Sequence, residues 1–162
     1  MPKKQSTIAL ITDFGLQDGY VGVMKGVITN INPSASVIDI SNTIAAQDIF
    51  QAACVLNNSY NYFPKGTIHV VVVDPGVGSD RKILCLKTED YTFLAPDNGV
   101  LSLVIEKEES SSIREVTNGK FFLPKLSNTF HGRDIFAPVA AHLSKGVSHK
   151  ELGERVDKTK EI

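Results

Sequence analysis

Cysteine is scarce in this sequence, and the two present, Cys54 and Cys85, both sit among apolar neighbours. Buried free thiols in a reducing compartment, not a disulfide, are the expectation. Net charge is nearly absent as well: a formal charge of -1 gives no support for attraction to nucleic acid or to a membrane surface. No apolar run approaches the roughly 20 residues needed to cross a bilayer. The opening MPKKQST has no signal-peptide pattern. A cytoplasmic protein is expected.

Familiar nucleotide and hydrolase signatures are also missing. Gly15-Leu16-Gln17-Asp18-Gly19 lacks the GxGxxG spacing, and Gly76-Val77-Gly78 leads into a strand pattern, not a helix. There is no phosphate-binding GxxxxGK loop and no GxSxG elbow for a serine nucleophile. His69, His131, His142 and His149 show no metal-ligand spacing among themselves or with the cysteines, so no metal is expected. His142 and His149 read as surface or packing residues, and His69, entering a buried strand, as structural.

What is present is an ordinary globular composition: 162 residues, 42% hydrophobic and 22% charged, enough for one domain. The centre of the pattern is Ile68 to Arg81, IHVVVVDPGVGSDR. Val70 to Val73 is a short β-branched run, as expected of a strand covered on both faces. It stops at Asp74-Pro75-Gly76, where proline removes a ladder donor and glycine frees the turn. An acid, a glycine loop and Arg81 thus follow the end of a buried strand, where ligands bind in open α/β sheets.

Around this strand the periodicity alternates between strand and helix. Thr7 to Thr12 reads as a first strand, and a helix from Asp18 carries Val21, Met24, Val27, Ile28 and Ile31 on one face until Asn32-Pro33-Ser34 stops it. Ser36 to Ile40 is a second strand and Ala45 to Tyr62 a second helix. Lys82 to Lys87 and Tyr91 to Ala95 form a hairpin pattern. Pro96-Asp97-Asn98-Gly99 is a turn, followed by a short helix from Val100 to about Lys107. Ser110 to Ser112 is a polar break, Ile113 to Val116 a strand, and Phe121 to Leu123 a weaker one. A last amphipathic helix opens at Thr129 to Asp134 and runs to Lys145-Gly146. The tail from Val147 is polar and carries no clear core contribution. The fold class is therefore α/β: a three-layer domain with a central, mostly parallel but mixed sheet covered by helices on both faces.

Three polar clusters interrupt these elements: Asp13 to Asp18, Asp74 to Arg81, and Thr129 to Asp134. An acid, an arginine and a histidine in such clusters suffice for general acid–base chemistry or for holding a water. Turn and cap residues of these types are also ordinary without any function, and spacing alone leaves both readings open.

TDFG at Thr12 to Gly15, VDPGVGSDR at Val73 to Arg81, APDNG at Ala95 to Gly99 and TFHGRD at Thr129 to Asp134 resemble, in order, the motifs of the S-adenosyl-L-methionine hydroxide adenosyltransferases, relatives of the fluorinating and chlorinating enzymes. The resemblance implies hydrolysis of S-adenosyl-L-methionine to adenosine and L-methionine by attack of water or hydroxide at the ribose C5′, with no cofactor. It implies that Asp74, Arg81 and His131 hold the attacking water and that Asp13 grips the ribose hydroxyls. Further substrate contacts are implied for Asp18 near the methionine amine, Gln47 over the ribose, and Thr129 and Phe130 beside the reaction centre. The halogenating relatives carry Tyr where this chain has Asp74 and lack the Arg–His pair. A carboxylate repels halide, so Asp74 favours water.

The resemblance further implies a homotrimer with substrate held between this domain and a β-rich C-terminal domain of the neighbouring subunit. Residues 1–162 match the N-terminal domain alone, as a single α/β domain. With the C-terminal domain absent, the expected fold survives and the complete substrate site does not. Two function classes follow: a hydrolase domain impaired when alone, or a non-catalytic binding or assembly module that keeps the α/β core. Neither involves nucleic acid or a membrane.

Overall fold

A computed structural model describes residues 5–162. The first strand, β1 (Thr7–Thr12), is followed by α1 (Tyr20–Ile31), β2 (Ser36–Ser41), α2 (Ile49–Ser59) and β3 (Ile68–Val72). Then come β4 (Ile83–Thr88), β5 (Thr92–Pro96), α3 (Ser102–Lys107), β6 (Ser111–Glu115) and α4 (Ala137–Ser144). The strands form a six-stranded sheet in the order β2-β1-β3-β5-β4-β6. β1 pairs in parallel with β2 and β3, and β3 with β5; β4 is antiparallel to both β5 and β6, so it alone runs against the rest.

Every residue of β3 is buried, as its β-branched composition requires. Ile68, Val70 and Val72 join one core cluster with Met24 and Ile28 of α1 and Val139 and Ala140 of α4. Val71 and Val73 join the other, with Ala52, Ala53 and Leu56 of α2 and Val104 of α3. The sheet is thus the middle of three layers. Each apolar side chain fully buried in this way contributes about 1.5–3 kcal/mol, and the run Val70 to Val73 feeds both layers at once.

The chain steps from β1 outward to β2 through α1, then back across β1 to β3 through α2. Two crossovers of one hand but opposite direction place their helices on opposite faces. The loops leaving the carboxyl ends of β1 and β3 therefore diverge, which leaves a crevice between them.

Several expected boundaries are corrected. α1 begins at Tyr20, not Asp18; Gly19 occupies its cap without a side-chain bond. α2 begins at Ile49, not Ala45, because Asp48 caps it by accepting the Gln51 N–H and Gln47 has a φ of 63° that no helix tolerates. Its last expected turn, Tyr60–Tyr62, tightens to a 3₁₀ turn. Ser111 and Ser112 are strand, not a break, since β6 is an edge strand whose exposed positions tolerate serine.

Phe121 to Leu123 is not a strand. Gly119–Phe121 is a 3₁₀ turn capped by Asn118, and the Leu123 N–H donates to the Asp134 carbonyl instead of to a sheet neighbour. The tail does contribute to the core: Leu152 is fully buried, Arg155 bridges to Arg114, and the Lys160 N–H donates to buried Asp97. A single anchoring leucine among polar residues leaves no periodic signal. Both cysteines are free, Cys85 buried and Cys54 half-buried. Among the described residues no helix is long and apolar enough to cross a membrane.

Candidate active site

The loop after β1 is built from local hydrogen bonds. Buried Thr12 accepts the Phe14 N–H through Oγ1 and donates to Asn42 Oδ1, and Gly15, at a φ of 74°, donates its N–H to the Asn42 carbonyl. These bonds turn the chain sharply and leave the Asp13 side chain at the crevice. There its Oδ2 accepts the backbone N–H of Gln47 at 2.8 Å. Gln47 is the one non-glycine residue with positive φ among the described residues. A side chain held in that region costs about 1–3 kcal/mol, and such outliers cluster at ligand sites.

The loop after β3 carries the charged pair. Asn98 Nδ2 donates to the Val73 carbonyl, which secures the strand end immediately before Asp74. Arg81 Nε lies 3.0 Å from both Asp74 oxygens and Nη2 lies 2.6 Å from Oδ2. Both side chains are buried, 5% exposed for Asp74 and 8% for Arg81. Gly76 permits this return, because a Cβ there would stand 3.1 Å from Arg81 Cγ.

Arg81 Nη2 also lies 2.8 Å from His131 Nδ1. A guanidinium can only donate, so Nδ1 must be the acceptor. His131 is therefore neutral and carries its proton on Nε2. Burial, then the charge of Arg81, hold His131 below the ordinary imidazole range, opposed by the Ser127 backbone and by Asp74 and Asp134. The result is a row of carboxylate, guanidinium and neutral imidazole. Its acceptor sites are on Asp74 and its donor is Nε2–H of His131, a ring that the Ser127 backbone also faces.

Two features bring the third segment to the second. Gly78 adopts a φ of 79° with its Cα against the Asn128 carbonyl oxygen, which a Cβ would overlap. Asp134, 1% exposed, accepts the Ser127 N–H at 2.7 Å and pairs with Arg133 Nε at 2.7 Å. Ser127 Oγ in turn accepts the Phe130 N–H.

Asp13, Gln47, Asp74, Thr129 and His131 line one small cavity with Phe14, Val72, Val77 and Gly132. Arg81 does not line it but bonds to both Asp74 and His131, which do. Asp18 and Phe130 instead border an adjoining open depression with Tyr20, Val23 and Arg133. Phe14, Tyr20 and Phe130 link the two hollows, with ring centroids 4.9–5.7 Å apart. A wider polar depression elsewhere, around Gln5, Asn32 and Ser144, has Lys145 as its one charged lining residue among the described residues.

The sequence reading assigned no role to Asp134, Asn98, Phe14, Val77 or Tyr20. Asp134 and Asn98 lie within quoted motifs, so their positions were visible; what they hold is backbone, which no residue pattern reports. Among the described residues no three His, Cys, Asp or Glu side chains gather as metal ligands.

Residues 8–153 match the family described as the SAM hydroxide adenosyltransferase N-terminal domain. A protein of Methanocaldococcus jannaschii named (R)-S-adenosyl-L-methionine hydrolase is 42% identical over 94% of this chain and 60% of its own length. A fluorinase of an Actinoplanes species is 25% identical over 90% of this chain and 57% of its own. A solved structure of an uncharacterized conserved protein from Thermotoga maritima superposes with a TM-score of 0.93 at 46% identity, covering 96% of this chain and 60% of that one. The chain thus spans about three-fifths of the length of these relatives.

Proposed function

The chain belongs to the SAM hydroxide adenosyltransferase family through that family's N-terminal domain, and we propose that it serves the hydrolysis of S-adenosyl-L-methionine to adenosine and L-methionine. The observation that carries this reading is the row Asp74–Arg81–His131 beside Asp13 at the carboxyl ends of β3 and β1. The name of the 42%-identical relative suggests the (R) sulfonium epimer as substrate.

In this mechanism water attacks C5′ of the ribose. The new O–C5′ bond forms as the C5′–S bond breaks, and its electron pair neutralises the sulfonium to give methionine. A neutral thioether needs no acid to leave, so the residues serve the nucleophile. Asp74 accepts one proton of the water, while His131 Nε2–H donates to the water oxygen and orients a lone pair towards C5′. Arg81 keeps both neighbours in place: it pairs with both oxygens of Asp74 and occupies Nδ1 of His131. Asp13 accepts the ribose diol hydroxyls, Gln47 covers the ribose, and Thr129 and Phe130 flank the reaction centre. Asp18 in the adjoining depression takes the methionine ammonium.

No cofactor or metal takes part, the working protein is a cytoplasmic homotrimer, and neither nucleic acid nor membrane is a partner. Because the chain spans about three-fifths of its relatives, a second reading stands beside turnover: a binding or assembly module that takes adenosine without hydrolysing the sulfonium. Adenosine release from the (R) and (S) epimers separates them, measured on this chain and on a chimera completed with the remainder of a relative. Release from neither protein overturns the hydrolase reading, and saturable adenosine binding in that case establishes the second.

A further inference from the structure

The segment before His131, the residue that meets Arg81, is held by a buried group. Asp134 Oδ2 accepts the Ser127 N–H at 2.7 Å, and Ser127 Oγ accepts the Phe130 N–H at 2.8 Å. The Asp134 N–H donates back to the Phe130 carbonyl and its own carbonyl takes the Leu123 N–H. One residue therefore closes the loop from Ser127 to His131 at its start and at its end.

The local backbone explains why such a clamp is needed. Gly132–Phe136 is a five-residue π-helical turn, a wider and weaker coil than the α-helix that follows. Thr129 is exposed and Phe130 leans on Phe14 and Tyr20, so neighbouring side chains do not by themselves fix the ring of His131. The buried carboxylate is balanced by Arg133, which is 39% exposed and stacks over Phe130 at 5.1 Å.

We propose that Asp134 is a positioning residue that, through the Ser127 amide, holds His131 against Arg81. Its bearing on catalysis rests on the hydrolase reading above; its bearing on His131 does not. The groups facing His131 are Arg81 and Asp74 from the loop after β3, and the Ser127 carbonyl and Asp134 from its own segment. Two effects of removing Asp134 have opposite sign. Its charge favours the imidazolium, so simple loss of that charge makes His131 harder to protonate. Release of the loop frees the ring from burial and from the guanidinium, both of which oppose protonation, so it becomes easier to protonate.

The test is an NMR pH titration of the four histidines in the wild-type chain, D134A and D134N. His69, enclosed and unprotonated down to about pH 4, reports that each variant is folded. In D134A the His131 midpoint should rise towards the ordinary value of about 6.5. In D134N, whose amide oxygen still accepts the Ser127 N–H, it should stay at or below wild type. A midpoint in D134A that is unchanged or lower overturns the proposal, and an equal rise in both variants overturns the Ser127 route. If neither variant folds, hydrogen exchange on the wild type decides: a protected Ser127 amide supports the clamp, and exchange as fast as an exposed loop amide overturns it. All of these readouts stand whether or not adenosine is released, so failure of the hydrolase reading shows up separately.

Discussion

β3 connects two neutral imidazole environments, and they are neutral for different reasons. His69, at its amino end, is stacked on Phe93 at 5.3 Å and enclosed by the rings of Tyr60, Phe63 and Tyr91. Among the described residues neither ring nitrogen has a well-formed hydrogen bond, and burial, opposed weakly by the Tyr60 backbone, pushes its pKa down to about 4. His131, beyond its carboxyl end, is half-buried, shares a cavity with two carboxylates, and faces a guanidinium. Burial is deeper at His69, yet the box around it offers nothing for a substrate to touch. What distinguishes the second environment is the meeting of opposite charges at an opening, not the size of a pKa shift.

The largest expected effect sharpens the polar side of that comparison. In the completed chimera, Asp74→Asn keeps the shape but removes the proposed proton acceptor, and turnover should fall by about 10²–10⁴. Asp13→Asn should act chiefly on KM, because a diol contact made before reaction is lost equally from ground and transition states. Steady-state adenosine release decides both. Nearly full kcat in Asp74→Asn abolishes the water-activating role assigned to it.

The aromatic side is tested by acid. The folded pKa of His69 lies near 4, below an unfolded value of about 6.5. Between these limits the unfolded chain binds more protons, so stability is full above pH 6.5 or so and falls as pH drops towards 4. The loss from this residue amounts to about 3 kcal/mol. The shifts of His131, His142 and His149 have the same sign. Denaturant unfolding of wild type and His69→Phe across this range should give a distinctly shallower acid limb for the variant. An identical slope in the two proteins breaks the comparison.

Gly78→Ala comes next in size. At a φ of 79° and against the Asn128 carbonyl, an added Cβ should cost roughly 1–3 kcal/mol in strain and separate the two loops. Gly15→Ala is the control, since its φ is 74° with open space around it, so only the left-handed strain of about 1–2 kcal/mol applies. Thermal unfolding should rank Gly78→Ala the more damaging, and His131 should lose its contact with Arg81 in that variant alone. The smallest effect is expected at Gln47, where glycine relieves the strain at φ 63°. Offset by the entropy of the unfolded glycine, Gln47→Gly should stabilise the chain by less than about 1 kcal/mol. A loss of stability would show that the Gln47 side chain, not its N–H, supports the crevice.

The sequence by itself, through strong periodicity, located Thr7–Thr12 to the residue, the buried valine run and the β4–β5 hairpin, while the last helix, expected to open at Thr129 to Asp134, becomes α-helical only at Ala137 after the π turn Gly132–Phe136. Those elements are legible because burial on one face or both imposes a repeat that side chains must obey. It also marked three polar loops by residue type. Residue type and spacing left open whether these loops meet, and the tertiary structure brings them together. The strand order reverses between β1 and β3, Gly78 lies bare against Asn128, and Asp134 takes an amide seven residues upstream. The same limit hid the buried Leu152, whose carbonyl takes the N–H groups of Thr117 and Asn118 some 35 residues away. Backbone amides and carbonyls are alike in every residue, so a pattern of side chains carries no record of which partner each one finds.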